Sequence, residues 1–292
     1  MISNKLTLLL VIMSQWTFSQ IKGIVKDSLT RKPIFYANIW VENENVGVSS
    51  EEDGTFSIST DSTKKLVFSA LGYHKKKMTA SSANEVLLNP QAYEIEEVVV
   101  TKKLETRVIE IGKSKTPIYQ AFDNGPRIDV KFFPYLTKYK KTRNIRQVTV
   151  ETDSKIDDAT IKIHFYSVDS NGYPGEELLK KDFITTVKKG VNKNVFDISG
   201  FNLLMPKKGL FVGFEKLIIE KNKVETTITD YNSNTTKIKK NYYPFVLYNF
   251  EERECIFSFS GGKWNKDILH DSNGISMKRM VNEPAINLIL TN

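Results

Sequence analysis

The chain has 292 residues, of which 40% are hydrophobic and 26% charged, with 15 Gly and 9 Pro. This is globular composition and excludes a wholly disordered or collagen-like chain. One cysteine (Cys255) and three histidines (His74, His164 and His270) leave no intramolecular disulfide, no Cys-rich zinc module and no His-rich metal centre to build. The net charge of +8 is unevenly placed: residues 21–101 carry 9 Lys and Arg against 11 Asp and Glu, and residues 102–292 carry 32 against 23.

At roughly 150 residues per domain the length suggests two units, and the charge asymmetry suggests that they have different surroundings. The first nineteen residues read as an export signal. Lys5 precedes the apolar run Leu6 to Met13, broken only by Thr7, and Thr17 and Ser19 stand at −3 and −1 of a cut before Gln20. The run is shorter than the about 20 apolar residues that a membrane span needs, and no cysteine follows it to carry a lipid. The expected mature chain is therefore exported, without a transmembrane segment, to the periplasm, the outer membrane or the cell surface.

After Gln20 the pattern is period two. Ala37-Asn38-Ile39-Trp40-Val41, Thr55-Phe56-Ser57-Ile58-Ser59 and Leu66-Val67-Phe68-Ser69-Ala70 each alternate and predict short strands. Glu52-Asp53-Gly54 and Asp61-Ser62-Thr63 separate them, with Gly54 expected at the positive φ of a tight hairpin. Strands at this spacing predict an all-β sandwich. The ordered set Gly23-Ile24-Val25-Lys26-Asp27, Pro33, Ala37 to Val41, Gly47, Asp53-Gly54-Thr55-Phe56, Leu66-Val67-Phe68 and Gly72-Tyr73 resembles the carboxypeptidase regulatory-like domain. That resemblance implies a seven-stranded, transthyretin-like sandwich over residues 20–101. Such modules precede the plug of TonB-dependent receptors in Gram-negative bacteria, and Glu96-Glu97-Val98-Val99-Val100-Thr101 is similar to the segment leading into the plug. No plug and no long barrel follow, so the receptors' transport role does not carry over. Nor does the zinc site of the metallocarboxypeptidases: there is no His-x-x-Glu pair and no His-Glu-x-x-His helix. His74, beside Lys75-Lys76-Lys77, and His164, facing away from Ile161, Ile163 and Phe165, are both expected on the surface.

Residues 102–118 are either a linker or, through Arg107-Val108-Ile109-Glu110-Ile111, an early strand of the second unit. Over residues 119–292, strands are expected at Arg127–Phe132, Ile145–Val150, Ile161–Phe165, Leu210–Phe214, Phe245–Tyr248, Cys255–Phe259 and Ile286–Leu290, which predicts a larger sandwich. Glu176-Glu177-Leu178-Leu179 offers at most one helical turn. Phe165-Tyr166, Asp169 to Gly175, Leu178-Leu179, Phe196-Asp197-Ile198-Ser199 and Gly209 to Glu215 are similar to exported jelly-roll modules, and that likeness implies glycan binding only by analogy.

Asp169 and Asn171 have oxygen-ligand chemistry suited to calcium. However, Asp-Ser-Asn-Gly recurs at Asp271–Gly274, which favours an ordinary turn. Gly261-Gly262-Lys263 reads as a hairpin turn beside Trp264. No Gly-x-Ser-x-Gly elbow and no phosphate loop are present. Glu251, Glu252 and Glu254 form an acidic cluster before Cys255, and paired carboxylates are the chemistry of glycoside hydrolysis, but as neighbours they are expected in a solvated turn. Cys255 is expected as a small core residue. Trp40, Tyr242, Tyr243 and Trp264 form either a sugar-stacking platform or core and rim packing.

No catalytic residue, cofactor or metal ligand is assigned from these motifs. Scattered basic residues such as Lys138, Lys140, Lys141, Arg143 and Arg146, without a basic helix, predict no nucleic-acid partner. An envelope protein or a glycan is the expected partner. The leading expectation is a non-catalytic exported binding or scaffold protein. The alternatives are a carbohydrate-binding accessory of an outer-membrane nutrient-uptake system and a hydrolase with an unrecognised site.

Overall fold

A computed structural model describes residues 20–91, 106–114, 118–119, 121–123, 125–230, 235–270 and 276–292. Residues 1–19, expected as an export signal, the Glu96–Thr101 segment and the second Asp-Ser-Asn-Gly sequence lie outside the described residues. Within them the chain is all-β, and its helical content is four single 3-10 turns.

Strands β1 (Gln20–Asp27), β2 (Asn38–Val41), β3 (Gly47–Ser49), β4 (Thr55–Ser59), β5 (Lys65–Ser69), β6 (Lys76–Thr79) and β7 (Glu85–Leu88) form two facing sheets. One has the order β4-β1-β7 and the other β3-β2-β5-β6. Alternation decides which residues meet between them. Phe56 and Ile58 point inward from β4 while Thr55, Ser57 and Ser59 face solvent. Ile39, Val41, Leu66 and Phe68 answer from the other sheet, and Val25, Val86 and Leu88 complete this core. The Asp53-Gly54 turn differs from expectation. Gly54 does have positive φ (79°), but β3 and β4 belong to different sheets. The turn is a corner between layers, where a side chain on Gly54 would meet the Val25 carbonyl at 2.8 Å.

The second unit begins with β8 (Val108–Ile111), so the early-strand alternative holds for residues 108–111. Then come β9 (Ile118–Tyr119), β10 (Ile128–Phe133), β11 (Asn144–Ser154), β12 (Ala159–Val168), β13 (Pro174–Glu177), β14 (Phe183–Val187), β15 (Gly190–Asp197) and β16 (Leu210–Lys216). They are followed by β17 (Lys223–Asp230), β18 (Thr235–Tyr242), β19 (Phe245–Val246), β20 (Tyr248–Arg253), β21 (Cys255–Ser260), β22 (Lys263–His270), β23 (Ser276–Met277), β24 (Arg279–Pro284) and β25 (Ile286–Thr291). The main sheet runs β13-β12-β16-β10-β21-β22-β23, with β14 also on β12, and faces the sheet β15-β11-β25-β8. Ile161, Ile163, Phe165, Val212 and Phe214 from the first meet Val148, Val150, Ile286, Leu288 and Leu290 from the second. Glu176-Glu177 sits in strand β13 and makes no helical turn. Gly261 and Gly262, both at positive φ, close the β21–β22 hairpin as expected.

The two units share a wall. Trp40 and Val67 lie on the faces of β2 and β5 that point away from the first core, where alternation alone would leave them in water. Each is only 3% exposed, packed with Ile128, Val130, Phe211, Phe257 and Phe259 of the main sheet. Trp40 meets Phe259 edge to face, centroids 5.9 Å apart. Burying a side chain of this size is worth about 1.5–3 kcal/mol. Polar contacts fix the register of the contact. The Ser49 N–H donates to the Ile218 carbonyl at 3.2 Å, the Asn43 N–H to the Gly261 carbonyl at 3.1 Å and Lys162 Nζ to the Tyr36 carbonyl at 3.0 Å.

The Trp40 indole N–H has no acceptor, so truncation there removes packing alone. Trp40→Ala is expected to cost about 3–5 kcal/mol, whereas Leu29→Ala, which is 79% exposed in the wild type, is expected to stay within about 0.5 kcal/mol. Urea unfolding followed by fluorescence and circular dichroism checks both, and Trp40→Ala is further expected to split one transition into two.

Candidate functional site

Strand β12 positions the most unusual chemistry in the molecule. Its Ile161, Ile163 and Phe165 face the second core, which sends Lys162, His164 and Tyr166 to the opposite face. The sequence pattern correctly turned His164 away from the apolar residues, but the expected surface position is wrong. The first unit covers that face, and His164 is 9% exposed.

Two carboxylates bracket the imidazole. Nδ1 lies 2.8 Å from Glu177 Oε2 on β13, and Nε2 lies 2.6 Å from Glu215 Oε2 on β16. Both nitrogens face acceptors, so both carry protons and the ring is an imidazolium. Burial opposes that charge, but the two carboxylates outweigh it and raise the pKa to about 9. Burial likewise opposes ionisation of Glu215, yet the hydrogen bond with His164 and the Lys162 charge hold its pKa below the usual range. Lys162 reaches Asp182 at 3.3 Å. Glu177 also accepts the Phe165 N–H at 2.6 Å. The result is a connected row of alternating charges, Asp182, Lys162, Glu215, His164 and Glu177, at the junction of the two units.

Space for the imidazole comes from the neighbouring strand. Gly213 of β16 stands opposite His164, and a Cβ there would come within 3.2 Å of the His164 Cβ and 3.3 Å of the Tyr166 ring. His164 and Tyr166 stack nearly parallel, 11° and 5.3 Å between centroids. Beside them opens a cleft of about 410 Å3 lined from both units, by Lys75 and Gln91 of the first and by Tyr166, Glu176, Phe259 and Trp264 of the second among others. This volume lies within the range of about 300–1,000 Å3 typical of ligand sites.

The other candidate residues fall elsewhere. Trp40 is core, Tyr243 is buried against Phe245 at 4.6 Å, and Tyr242 is half-buried. The four aromatics therefore form no common platform, and Trp264 alone of them borders the cleft. Asp169 Oδ1 accepts the N–H groups of Asn171 and Tyr173, each at 2.8 Å, and Gly172 has φ of 79°. This is the geometry of a turn. Glu251 and Glu252 are in strand β20 and do not form the expected solvated turn. Glu251 pairs with Arg253 at 3.7 Å, and Arg253 forks onto Glu283 at 2.9 and 2.8 Å. Glu252, Glu254 and Cys255 line a second cavity of about 510 Å3. Cys255 is half-buried, packed against the cluster at the junction and not in the core as expected, and burial raises its thiol pKa, which disfavours a nucleophile. His74 is exposed, as expected. Among the described residues no group of three His, Cys, Asp or Glu side chains is placed to hold a metal ion, and no helix is long and apolar enough to cross a membrane.

Residues 21–100 match the family model of the CarboxypepD_reg-like domain, a little over a quarter of the chain. The resemblance read from Gly23 to Tyr73 is thereby met, and the described part of the match is the two-sheet unit β1–β7. No curated protein matches the chain.

The His164 geometry fixes the sign of a pH effect. The folded pKa of about 9 lies above the ordinary 6.5, so this stabilisation is fully present below about pH 6.5 and is lost as pH rises through about 9. Glu177, Glu215, Lys162 and Tyr166 are the charged and titratable groups facing the ring. Wild-type stability in urea is expected to fall between pH 6.5 and 9.5, and His164→Gln is expected to flatten that slope. Titration of the His164 ring protons by NMR gives the midpoint directly.

Proposed function

We propose that the protein is a non-catalytic, exported binding or scaffold protein of the cell envelope, in which the two sandwiches work as one recognition body. One observation carries this reading: the cleft beside His164 takes its walls from both units, so a ligand there contacts the regulatory-like module and the second sandwich together. The chemistry around it supports binding over turnover. A general base needs a free lone pair, and both His164 nitrogens are committed to carboxylates. A covalent mechanism needs a nucleophile beside a base, and Cys255 heads a strand at a different cavity. The lysine-led apolar run before Gln20 supports export.

A carbohydrate-binding accessory role in outer-membrane nutrient uptake is the second reading. Trp264 and Tyr166 at the cleft wall favour it, edge to face with centroids 5.1 Å apart. Fractionation of cells producing the chain, with mass spectrometry of the recovered protein, tests the leading reading. The expected form starts near Gln20 in the envelope or periplasm and shows no turnover of peptide, ester or glycoside substrates, with or without added zinc or calcium. Recovery with Met1 intact from the cytoplasm, or turnover that vanishes in His164→Ala or Glu252→Ala, would overturn it.

A further inference from the structure

The interunit cleft contains two kinds of polar group. Lys162, His164, Glu177 and Asp182 line it and are spent on holding the junction, Lys162 against Asp182 and His164 between Glu177 and Glu215. Lys75, Glu176 and Gln91 are different. Among the described residues, none of their side chains takes part in a hydrogen bond or ion pair, and all three are exposed at the cleft. Lys75 instead lies over the Phe259 ring, 5.4 Å from its centroid.

These three open groups comprise one cation, one carboxylate and one neutral amide. A ligand bearing a single sign of charge satisfies one of the ions and is repelled by the other. A set of hydroxyls satisfies all three, because each hydroxyl both donates and accepts. One part of the wall is aromatic, with Trp264 edge to face with Phe259 and Tyr166 at 5.3 and 5.1 Å between centroids, and Ala70, Leu71 and Ile128 line another. An indole body with a polar N–H suits a surface that is apolar on one side and hydroxylated at its rim.

We propose that this cleft binds a neutral saccharide, with a sugar ring against Trp264 and its hydroxyls on Lys75, Glu176 and Gln91. The proposal rests on the binding-protein reading above and names its ligand class.

The mature chain of residues 20–292 has two tryptophans, Trp40 and Trp264, and only Trp264 lines the cleft. The test is isothermal titration calorimetry and tryptophan emission of the full mature protein. The ligands are maltotriose, cellotriose, mannotriose and chitotriose, with trigalacturonic acid and inorganic phosphate as charged controls. At least one neutral trisaccharide is expected to bind and to shift the emission. Trp264→Ala is expected to weaken that binding at least about tenfold, and Gln91→Ala several-fold, while Phe132→Ala at the other cavity leaves it unchanged. Gln91 is exposed, so its variant keeps the test decisive if Trp264→Ala does not fold. The assignment is overturned if no neutral saccharide binds, if only the charged controls bind, or if binding survives both cleft variants. A blank titration with a protein that is still exported and without turnover removes the saccharide and leaves the binding-protein reading standing. Cleavage of a bound trisaccharide does the reverse.

Discussion

A β-sheet has two faces, and each apolar face must be covered. That constraint, applied to the sheet β3-β2-β5-β6, organises this protein. One face closes the first core through Ile39, Val41, Leu66 and Phe68, and the other carries Trp40 and Val67 against Phe257 and Phe259 of the second unit. The main sheet of the second unit obeys the same rule in reverse. The molecule is therefore four sheets deep across this line, and the His164 row is buried because a contact layer forms between the two units. A histidine between two carboxylates on an open sheet would be hydrated. Covered by Tyr36, Asn38 and their neighbours, it becomes a charged structural element.

Much of this was legible in the residues. Alternation at Thr55–Ser59 and Ile161–Phe165 marks the inward faces, Gly261-Gly262 marks the hairpin, and the spaced residues between Gly23 and Tyr73 carry the first unit's likeness to the regulatory-like domain. What could not be read was the covering of a second face. Leu66-Val67-Phe68 looks like a strand with one stray apolar residue until Val67 joins the buried cluster of Ile128, Val130 and Phe257, whose members are all more than sixty positions away. The Glu177–His164–Glu215 bracket has the same origin: its members are brought together by the register of β12 against β16 and β13, which no local spacing encodes. The only signal available was the run Lys162-x-His164-x-Tyr166, a titratable and aromatic face on a strand whose other side is fully apolar. Such a face asks what lies over it.

The Glu251 and Glu252 expectation failed for a related reason. Neighbouring glutamates are costly in a core, so they read as a turn. In the structure Arg253 and the buried Glu283 on β24 draw them into a ladder: the guanidinium forks onto Glu283 and stands 3.7 Å from Glu251. Charge density that disfavours a strand in isolation supports one when the adjacent strand supplies a matched partner.

The position of β25 affects how the molecule assembles. It lies inside its sheet, hydrogen-bonded to β11 on one side and to β8 on the other. The partner in β8 is separated from it by most of the second unit: Val108 pairs with Thr291. Neither the β11-β25-β8 sheet nor the core layer there can close until Ile286 to Thr291 are in place. Loop closure over such a span is slow compared with local hairpin formation. The second sandwich therefore closes on a pairing between residues 108–111 and 288–291, and local hairpins such as β21–β22 can form well before that pairing locks the sheet.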